Sequence, residues 1–537
     1  MRRVFVATRH FTGYLAPGQQ VTLNALGSAR LESANPAALA QAATGGGLRI
    51  GQAGVSVGQS ELVLATDIPR SYPLLWADTG TEIVVADRPS QLGGRGMRLR
   101  LDPVAQQQFY ASGFAWGERT LLQGVRQLQG GFTVRVDLTT GEHDRTLPSF
   151  QVPAAQRITD PQEADAAFSA ALDESMAAMV ERLGRFRLII PLSGGLDSRL
   201  LVAWLKNHGV TNVLCFTYGL PGSKETEVSR RLAALGGFDW KLVEMRRGAV
   251  QAAWAGPDAA EFIQYAWGAT SLPHVQDWYA INALEKNGVI GGSEDVVLPG
   301  HTVIGNLHDE DLLLAGGMDM DQLCRIIYHH HCALDRGLAP SVQDSVRQEV
   351  AWIVDQLEAT GRYRGGEDRL LWADAVEMVN ITERQPKYIN NSMRAYEQAG
   401  LAWDLPMLDA PMWEFAGRIS QELAYNRDWY RRYVERYFAA ATGQEVPEHR
   451  QQAVSASASA KIGRVLAALR VKKALNNLYV AQHVMRHPLG LDMHAGDISR
   501  PAFAAQLASG RHPLGVFARQ LLTGRWNPLV GLGIEND

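Results

Sequence analysis

The run Ser193-Gly194-Gly195-Leu196-Asp197-Ser198 combines small, hydroxyl and acidic side chains in a pattern suited to binding phosphate groups. The two glycines let the backbone approach a phosphate closely, and the serine hydroxyls can donate hydrogen bonds to it. The single carboxylate, on Asp197, would repel bare phosphate unless a cation lies between them. The sequence therefore predicts that this loop binds the pyrophosphate of a nucleotide, with Asp197 as a ligand of a bridging Mg²⁺.

A buried strand and a helix are predicted on either side of this loop. The apolar run 188–192 is typical of a parallel strand covered on both faces, and Leu200, Leu201, Trp204 and Leu205 follow with one-sided helical spacing. The free N–H groups and the positive dipole end of that helix favour an anion at its start. The loop is therefore expected at the carboxyl end of a strand.

The same alternation of strand and helix continues along the chain. A second strand is predicted at 210–218, a second helix at 225–235 and a third strand at 240–243. This alternation predicts an α/β fold with a doubly wound parallel sheet, in which ligands bind beyond the carboxyl ends of the strands. The run Thr217-Tyr218-Gly219 would then lie beside the glycine loop and line a pocket for adenine or ribose.

Ser193 to Ser198 resembles the pyrophosphate loop of the ATP pyrophosphatase group, whose members cleave ATP to AMP and pyrophosphate while adenylating a carboxylate or similar oxygen. Sulfur-inserting RNA enzymes, NAD synthetases and asparagine synthetases all carry versions of this loop. The balance of 52 basic and 56 acidic residues gives no field for nucleic-acid binding, and the three cysteines form no C-x-x-C pair. Both observations disfavour an RNA-modifying enzyme, so we predict no nucleic-acid partner.

Length and composition limit the class of protein further. A chain of 537 residues, 46% of them apolar, has enough material for two or three domains with large cores. Three cysteines are too few for a disulfide framework, which favours a reducing compartment. The chain begins without a signal-peptide pattern, and no apolar run approaches about 18 residues. We therefore expect a cytoplasmic protein that does not enter a membrane.

Residues 1–152 are predicted to form a mostly β domain, because short β-like runs alternate there with Gly, Asp and Pro. Segments 67–76, 86–92 and 120–142 resemble, in the same order, parts of the N-terminal Ntn-type α+β glutaminase domain of class B asparagine synthetases. An active domain of that type uses an N-terminal cysteine as its nucleophile. Here position 2 is Arg and no cysteine precedes Cys215. The resemblance therefore implies a degenerate domain that does not hydrolyse glutamine.

Residues 153–537 are predicted to form the ATP-binding domain with a helical C-terminal extension. A linker helix is predicted at the start of this domain, with Thr159-Asp160-Pro161 as its N-terminal cap. Segments 271–278 and 295–302 resemble a branch of asparagine synthetase-like proteins encoded with surface-polysaccharide genes, in which a strand precedes Pro-Gly-His-Ser-Gly-Asp. His301 keeps the histidine of that motif, and the resemblance implies that it binds substrate.

The second metal carboxylate of that branch is absent from its usual place. Val303 and Ile304 replace the Gly-Asp pair, and Asp309, Glu310 and Asp311 follow after a short insertion. Two alternatives stay open: one of these acids reaches the Mg²⁺, or the site has lost a ligand. For the first alternative we take Asp309 as the ligand.

Segment 383–409 resembles a synthetase block that packs a helix against the active site. The resemblance implies that Arg394 binds substrate and that Lys387, or Lys461 further along, neutralises charge that develops during the reaction. The three adjacent histidines within 328–332 predict no metal site, because neighbouring helical residues point about 100° apart.

The function that these residues favour is that of an ATP- and Mg²⁺-dependent amide-forming ligase resembling asparagine synthetase, which releases AMP and pyrophosphate. Its substrate would be a small-molecule or peptide carboxylate, for example an acidic amino acid or a uronic acid, and its second substrate ammonia or an amine. Two alternatives stay open: a cyclase resembling β-lactam and lasso-peptide macrolactam synthetases, which uses an internal amine, and a catalytically inactive binding or regulatory protein. A homodimer is among the assemblies that the sequence allows.

Overall fold

The computed structural model of the protein describes residues 1–25, 27–44, 48–93, 95, 97–305, 310–335, 337–363, 368–446, 471–486, 498–524 and 526–534. Within these residues, strands dominate up to position 146 and helices dominate from position 161. Asp309 and Lys461, two of the predicted site residues, lie outside the described residues.

Two sheets form the N-terminal part. Their strands are β1 (Arg3–Ala7), β2 (Thr12–Leu15), β3 (Gln19–Asn24), β4 (Ser28–Ser33), β5 (Gln52–Val57), β6 (Glu61–Thr66), β7 (Leu75–Asp78), β8 (Glu82–Ala86), β9 (Val125–Gln127), β10 (Thr133–Asp137) and β11 (His143–Thr146). The first sheet has the order β2-β1-β8-β7-β9, and the second, antiparallel throughout, has the order β11-β10-β6-β5-β3-β4. Apolar side chains from both sheets, such as Val55, Leu64, Trp76 and Val85, share one buried cluster. The sheets therefore pack face to face.

A third sheet carries the predicted glycine loop. Its strands are β12 (Arg187–Pro191), β13 (Val213–Gly219), β14 (Asp239–Glu244), β15 (Asp295–Val297) and β16 (Ala402–Trp403). They lie in the order β14-β13-β12-β15-β16, and each neighbouring pair is parallel. Leu188, Ile189 and Ile190 at the centre are fully buried, as expected for a strand covered on both faces. The structure therefore confirms the predicted doubly wound α/β fold.

Helices surround these sheets and form most of the C-terminal part. They are α1 (Pro36–Thr44), α2 (Pro103–Ser112), α3 (Pro161–Leu183), α4 (Leu196–Asn207), α5 (Lys224–Gly236), α6 (Arg247–Ala255), α7 (Pro257–Ala266), α8 (Trp278–Lys286), α9 (Glu310–Ala315), α10 (Met320–His331), α11 (Pro340–Ala359), α12 (Asp368–Val379), α13 (Met393–Gln398), α14 (Ala410–Arg418), α15 (Gln421–Ala424) and α16 (Asp428–Thr442), followed by helices at Val471–Arg486, Arg500–Ala508 and Pro513–Thr523. A π-helix, Asn380–Ile389, continues α12 and contains Pro386.

The linker helix α3 begins where the sequence predicts. The Asp160 side chain accepts hydrogen bonds from the N–H groups of Gln162 and Glu163, and Pro161 occupies the first helical position. The side chains of Phe168, Leu172, Met176 and Met179, which follow one another at helical spacing, are fully buried. These residues therefore belong to the core.

The largest apolar core joins the N-terminal sheets to the C-terminal part. It contains Phe5, Leu75 and Val84 together with Leu200 and Tyr430. The division of the chain into domains at residue 152 stays a prediction.

Several further features bear on the sequence predictions. The thiols of Cys215, Cys324 and Cys332 are free and buried. Among the described helices, none is long and apolar enough to cross a membrane. Within the described residues, no group of three or more His, Cys, Asp or Glu side chains is arranged to hold a metal ion. His329 and His330 therefore belong to no such group there.

Candidate active site

The glycine loop forms a tight turn between β12 and α4. The Ser193 N–H donates to Ser198 Oγ at 3.2 Å, the two serine hydroxyls lie 3.2 Å apart, and the Gly195 N–H donates to Ser193 Oγ at 3.2 Å. Gly195 precedes the first residue of α4, so the free N–H groups of that helix start within the loop. This geometry holds hydroxyl and N–H donors together at the carboxyl end of the central strand.

The segment after β15 lies directly against this loop. A β-carbon on Gly300 would come within 2.6 Å of the Ser198 nitrogen and 3.0 Å of the Ser198 α-carbon. Because both of those atoms belong to the backbone, no side-chain movement can relieve the contact. Position 300 therefore requires glycine if the loop is to keep its shape.

A cavity of about 660 Å³ opens beside the loop. Its walls include Ser193, Gly195, Asp197 and Ser198 of the loop, Thr217, Tyr218 and Gly219 at the end of β13, and Lys224, Glu225, Asp277, Gly300 and His301. The volume lies within the range of small-molecule and cofactor pockets, about 300–1,000 Å³. The predicted loop and the predicted adenine or ribose residues therefore line a single cavity.

Asp277 anchors one wall of this cavity. Its carboxylate accepts hydrogen bonds from the hydroxyls of Tyr218 at 2.9 Å and Tyr396 at 2.6 Å. Burial, reinforced by the Asp277 charge, raises the pKa of both tyrosines, so both hydroxyls keep their protons. Asp277 was not among the predicted site residues, because its two partners come from the distant elements β13 and α13.

Asp197 has partners that the sequence did not predict. Its Oδ1 accepts hydrogen bonds from Arg427 Nη2 at 2.5 Å and from the Tyr430 hydroxyl at 2.9 Å. Arg427 lies at the kink before α16 with a φ of 56°, and burial, with the Asp197 charge, raises the pKa of Tyr430. The carboxylate predicted to bind Mg²⁺ is thus held by a guanidinium and a phenol.

Of the segment predicted to supply a second metal ligand, the structure describes Val303, Ile304 and the Asp311 side chain. Val303 and Ile304 are buried at 5% exposure each and pack into the core. Asp311 accepts a hydrogen bond from the Tyr425 hydroxyl, and Asp309 lies outside the described residues. Among the described residues of the loop, Asp197 is the one carboxylate placed to contact a metal.

His301 points one ring nitrogen at Asn390. Its Nδ1 lies 3.2 Å from Asn390 Oδ1, while Asn390 Nδ2 donates to the Pro69 carbonyl at 2.8 Å. The amide nitrogen of Asn390 faces Pro69, so its oxygen faces His301 and must accept a hydrogen bond from it. The proton of a neutral His301 therefore belongs on Nδ1, and Nε2 keeps its lone pair. Burial lowers the pKa of His301, so the ring is neutral at pH 7.

Lys387 and Arg394 are not among the residues that line the cavity, and the roles that the resemblance implied for them stay predictions. The Lys387 ammonium donates to the carbonyls of Ala115 and Gly117 at 3.0 and 2.8 Å and to Glu383 at 2.7 Å. Arg394 donates to the Ser71 carbonyl at 2.8 Å. Both side chains face the N-terminal part, because the π-helix and α13 pack against it.

Lys387→Met is expected to lower the free energy of unfolding by about 3–5 kcal/mol, because it leaves the Glu383 carboxylate unpaired in the core. Both side chains of this ion pair are 0% exposed. Urea unfolding of the purified variant measures the change. Lys286→Met is the control, since Lys286 pairs with Asp258 at the surface with side chains 59% and 41% exposed. It should cost about 1 kcal/mol or less. Equal costs for the two variants would contradict a structural role for Lys387.

The doubly wound sheet and its donor-lined loop are typical of a class of protein that binds ligands beyond the carboxyl ends of the strands. Within this class, residues 167–275 match the family model described as asparagine synthase. The matched segment runs from α3 through the loop to Val275, and so includes the glycine loop and the end of β13 but not Asp277, Gly300 or His301. This segment is therefore similar to the asparagine synthase family.

Comparison with other proteins adds solved structures of low similarity. An NH3-dependent NAD synthetase from Campylobacter jejuni subsp. jejuni NCTC 11168 is 13% identical, with 41% of this chain and 94% of that chain covered and a TM-score of 0.21. An NMN synthetase from Francisella tularensis is 10% identical, with 46% and 98% covered and a TM-score of 0.20. A predicted subunit of tRNA methyltransferase from Methanocaldococcus jannaschii DSM is 15% identical, with 34% and 90% covered and a TM-score of 0.14. At these TM-scores the likenesses carry no argument, and no curated protein matches the chain.

Proposed function

We propose that the protein is an AMP-forming amide ligase. A substrate carboxylate attacks the α-phosphorus of ATP, pyrophosphate leaves into the Ser193–Ser198 loop, and an amine then displaces AMP from the acyl-adenylate to give the amide. The observation that carries this proposal is the donor-lined loop at the head of the 660 Å³ cavity within the asparagine synthase segment.

The loop residues would bind the leaving pyrophosphate. The N–H groups at the start of α4 and the Ser193 and Ser198 hydroxyls supply fixed donors that need no rearrangement as negative charge develops. Lys224, the first residue of α5, lines the same cavity and adds a flexible cation. We propose these groups for the neutralisation of charge on the phosphates, a role that the resemblance also implied for Lys387.

The described residues fit a single Mg²⁺ held by Asp197 and by oxygens of the nucleotide phosphates, since Mg²⁺ in phosphate sites commonly takes only one or two carboxylates. Both hydrogen bonds to Asp197 fall on Oδ1. When bound, the ion would neutralise charge on the phosphates and position them for displacement.

His301 would accept the proton that the attacking amine loses. Its Nε2 carries the lone pair of a neutral ring in the cavity wall, and its pKa is already low enough to keep that lone pair free near pH 7. Asn390 holds the ring through Nδ1 at 3.2 Å. The carboxylate substrate that we propose first is an acidic amino acid or a uronic acid, and the group that accepts its acyl part is ammonia or a substrate amine. We propose that the reaction takes place in the cytoplasm.

A second candidate is a nucleotide-binding protein without catalysis. The contact between Asp197 and Arg427 favours it, because a guanidinium there takes the place expected for a metal ion. An internal amine, as in the macrolactam synthetases, remains a variant of the first candidate.

An ATP–pyrophosphate exchange assay across acidic amino acids, uronic acids and acidic peptides tests the two candidates. Exchange that depends on one class of acid supports the ligase and identifies its substrate. Tight binding of ATP without exchange for any acid would instead support the binding protein.

We expect no release of glutamate from glutamine by this protein. The Arg2 N–H donates to the Leu138 carbonyl at 2.7 Å, and its side chain pairs with Asp78 at 2.8 Å. Position 2 is thus held in place just before β1, and it offers neither a thiol nor a hydroxyl. Amide formation should therefore depend on ammonium or a substrate amine. Coupled assays of glutamate and AMP decide the question. Glutamate formed in step with AMP, by protein free of contaminating glutaminase, would overturn this expectation.

A further inference from the structure

A second, small cavity lies between the N-terminal sheets and the C-terminal part, and it shares no lining residue with the nucleotide cavity. Its volume is about 40 Å³. Its charged lining residues are Arg9, Arg70, Asp87, Arg88, Lys387 and Arg394. Five cations and one acid therefore face a space of about three water molecules.

Most of these cations already have partners. Arg9 pairs with Asp87 at 3.2 Å and with Glu397 at 3.0 Å, and Arg394 pairs with Glu397 at 3.1 Å. The Arg88 guanidinium lies over the Tyr265 ring at 3.8 Å. Lys387 has its ion pair with Glu383. These four side chains are thus accounted for by the protein itself.

Arg70 differs from the other four. Its Nε donates to the Leu128 carbonyl at 2.7 Å, but among the described residues its Nη2 has no hydrogen-bond partner and its guanidinium has no ion pair within 4.0 Å. The residue is only 4% exposed. An unpaired guanidinium buried to this degree lacks the compensation that buried charges ordinarily have.

The pKa of Arg70 and its backbone conformation both show that its present environment is unfavourable. Burial, with the nearby Arg394 charge, lowers the pKa of Arg70 to about 9, while Glu383 and Asp67 act on it only through space. At that pKa the group stays charged at pH 7. Arg70 also has a φ of 54°, a left-handed conformation that glycine or asparagine adopts more easily. The fold thus keeps the charged Arg70 guanidinium at this cavity although both its burial and its left-handed backbone conformation are unfavourable.

We propose that this cavity binds a small oxyanion with the chemistry of a carboxylate, such as formate, acetate or bicarbonate, through a bidentate contact with Arg70. The guanidinium fork matches two oxygens of such a group. The volume admits about three or four non-hydrogen atoms, which is too few for a nucleotide or an amino acid. This site is independent of the proposed ligase reaction, and the bound anion would join the turn after β6 to α13.

The first test compares thermal unfolding in sodium formate, acetate, bicarbonate or phosphate with unfolding in chloride at equal ionic strength. For the wild type we expect formate or bicarbonate to raise the midpoint saturably, by about 2 °C or more. Arg70→Asn, which keeps a residue tolerant of the left-handed backbone, should lose this shift. Arg30→Gln removes an arginine whose side chain is 82% exposed and should keep it.

The second test uses the wild type alone, so it holds even if the Arg70→Asn variant does not fold. Titration of ¹³C-formate followed by NMR line broadening should show saturable binding that bicarbonate competes away. No saturable binding up to about 50 mM, or an equal thermal shift in Arg70→Asn, would overturn the proposal. A thermal shift in phosphate without any binding of formate would overturn the assignment to a carboxylate-type anion.

Discussion

Replacing Asp197 by Asn is expected to reduce ATP–pyrophosphate exchange by at least about 100-fold. Asp197 is the carboxylate of the glycine loop and lines the cavity where the phosphates would bind. The amide keeps the size of the side chain but removes the charge that a metal ion needs. Exchange measured at saturating ATP and Mg²⁺, with the best acid from the substrate panel, gives the size of the loss.

The fold should survive this substitution. The Asp197 side chain is 26% exposed, and pairs at such partly exposed positions contribute about 1 kcal/mol or less. Asp165→Asn is the matched control, because Asp165 of α3 also accepts hydrogen bonds from α16, from Trp429 and Arg436, but does not line the cavity. That variant should exchange within about twofold of the wild type. Activity of the Asp197 variant at a tenth of wild type or more would rule out the metal role.

Arg427→Gln removes the guanidinium that pairs with Asp197 and leaves the carboxylate in place. If the guanidinium and a metal ion compete for the same carboxylate, removing Arg427 should lower the Mg²⁺ concentration that gives half-maximal exchange. Loss of exchange at every Mg²⁺ concentration would instead show that Arg427 itself binds the phosphates.

Gly300→Ala is expected to weaken ATP binding at least about tenfold and to cost about 1–3 kcal/mol of stability. The new methyl group would meet the Ser198 nitrogen at 2.6 Å, closer than any real contact, so the start of α4 must shift. That shift moves the N–H donors and hydroxyls which form the anion site. Calorimetric titration with ATP and urea unfolding measure the two effects separately.

Gly248→Ala serves as the control for this second substitution. Gly248 lies in α6, where a β-carbon would find nothing within 4 Å. Alanine there should leave ATP binding unchanged and raise stability by up to about 1 kcal/mol, because alanine favours helix over glycine. Unchanged ATP affinity in the Gly300 variant would show that the loop tolerates a displaced helix start.

Local patterns explain what the sequence predicted well. The run 188–192, the polar loop and the following helix are contiguous, and their burial and turn signals act over a few residues. Asp160 and Pro161 mark the start of α3 by the same kind of short-range hydrogen bond. The fold class followed from these units, because alternating strands and helices permit few arrangements.

The parts of the site that the sequence missed depend on contacts between distant segments. Arg427 reaches Asp197 from 230 positions further along the chain, through a left-handed conformation that no sequence pattern signalled. Lys387 and Arg394 donate hydrogen bonds to carbonyls of the N-terminal part, and no local pattern in the sequence indicated these contacts. Long-range packing, and not local propensity, decides where such side chains point.

One apolar core includes Phe5 near the start of the chain and Tyr430 more than 400 positions later. During synthesis, the N-terminal strands must therefore leave the ribosome long before the helices that cover them exist. Until then their apolar surface is open to aggregation or to chaperones, as is common for large chains with distant contacts. Truncations that remove either end of this core should therefore reduce the yield of folded protein more than their length suggests.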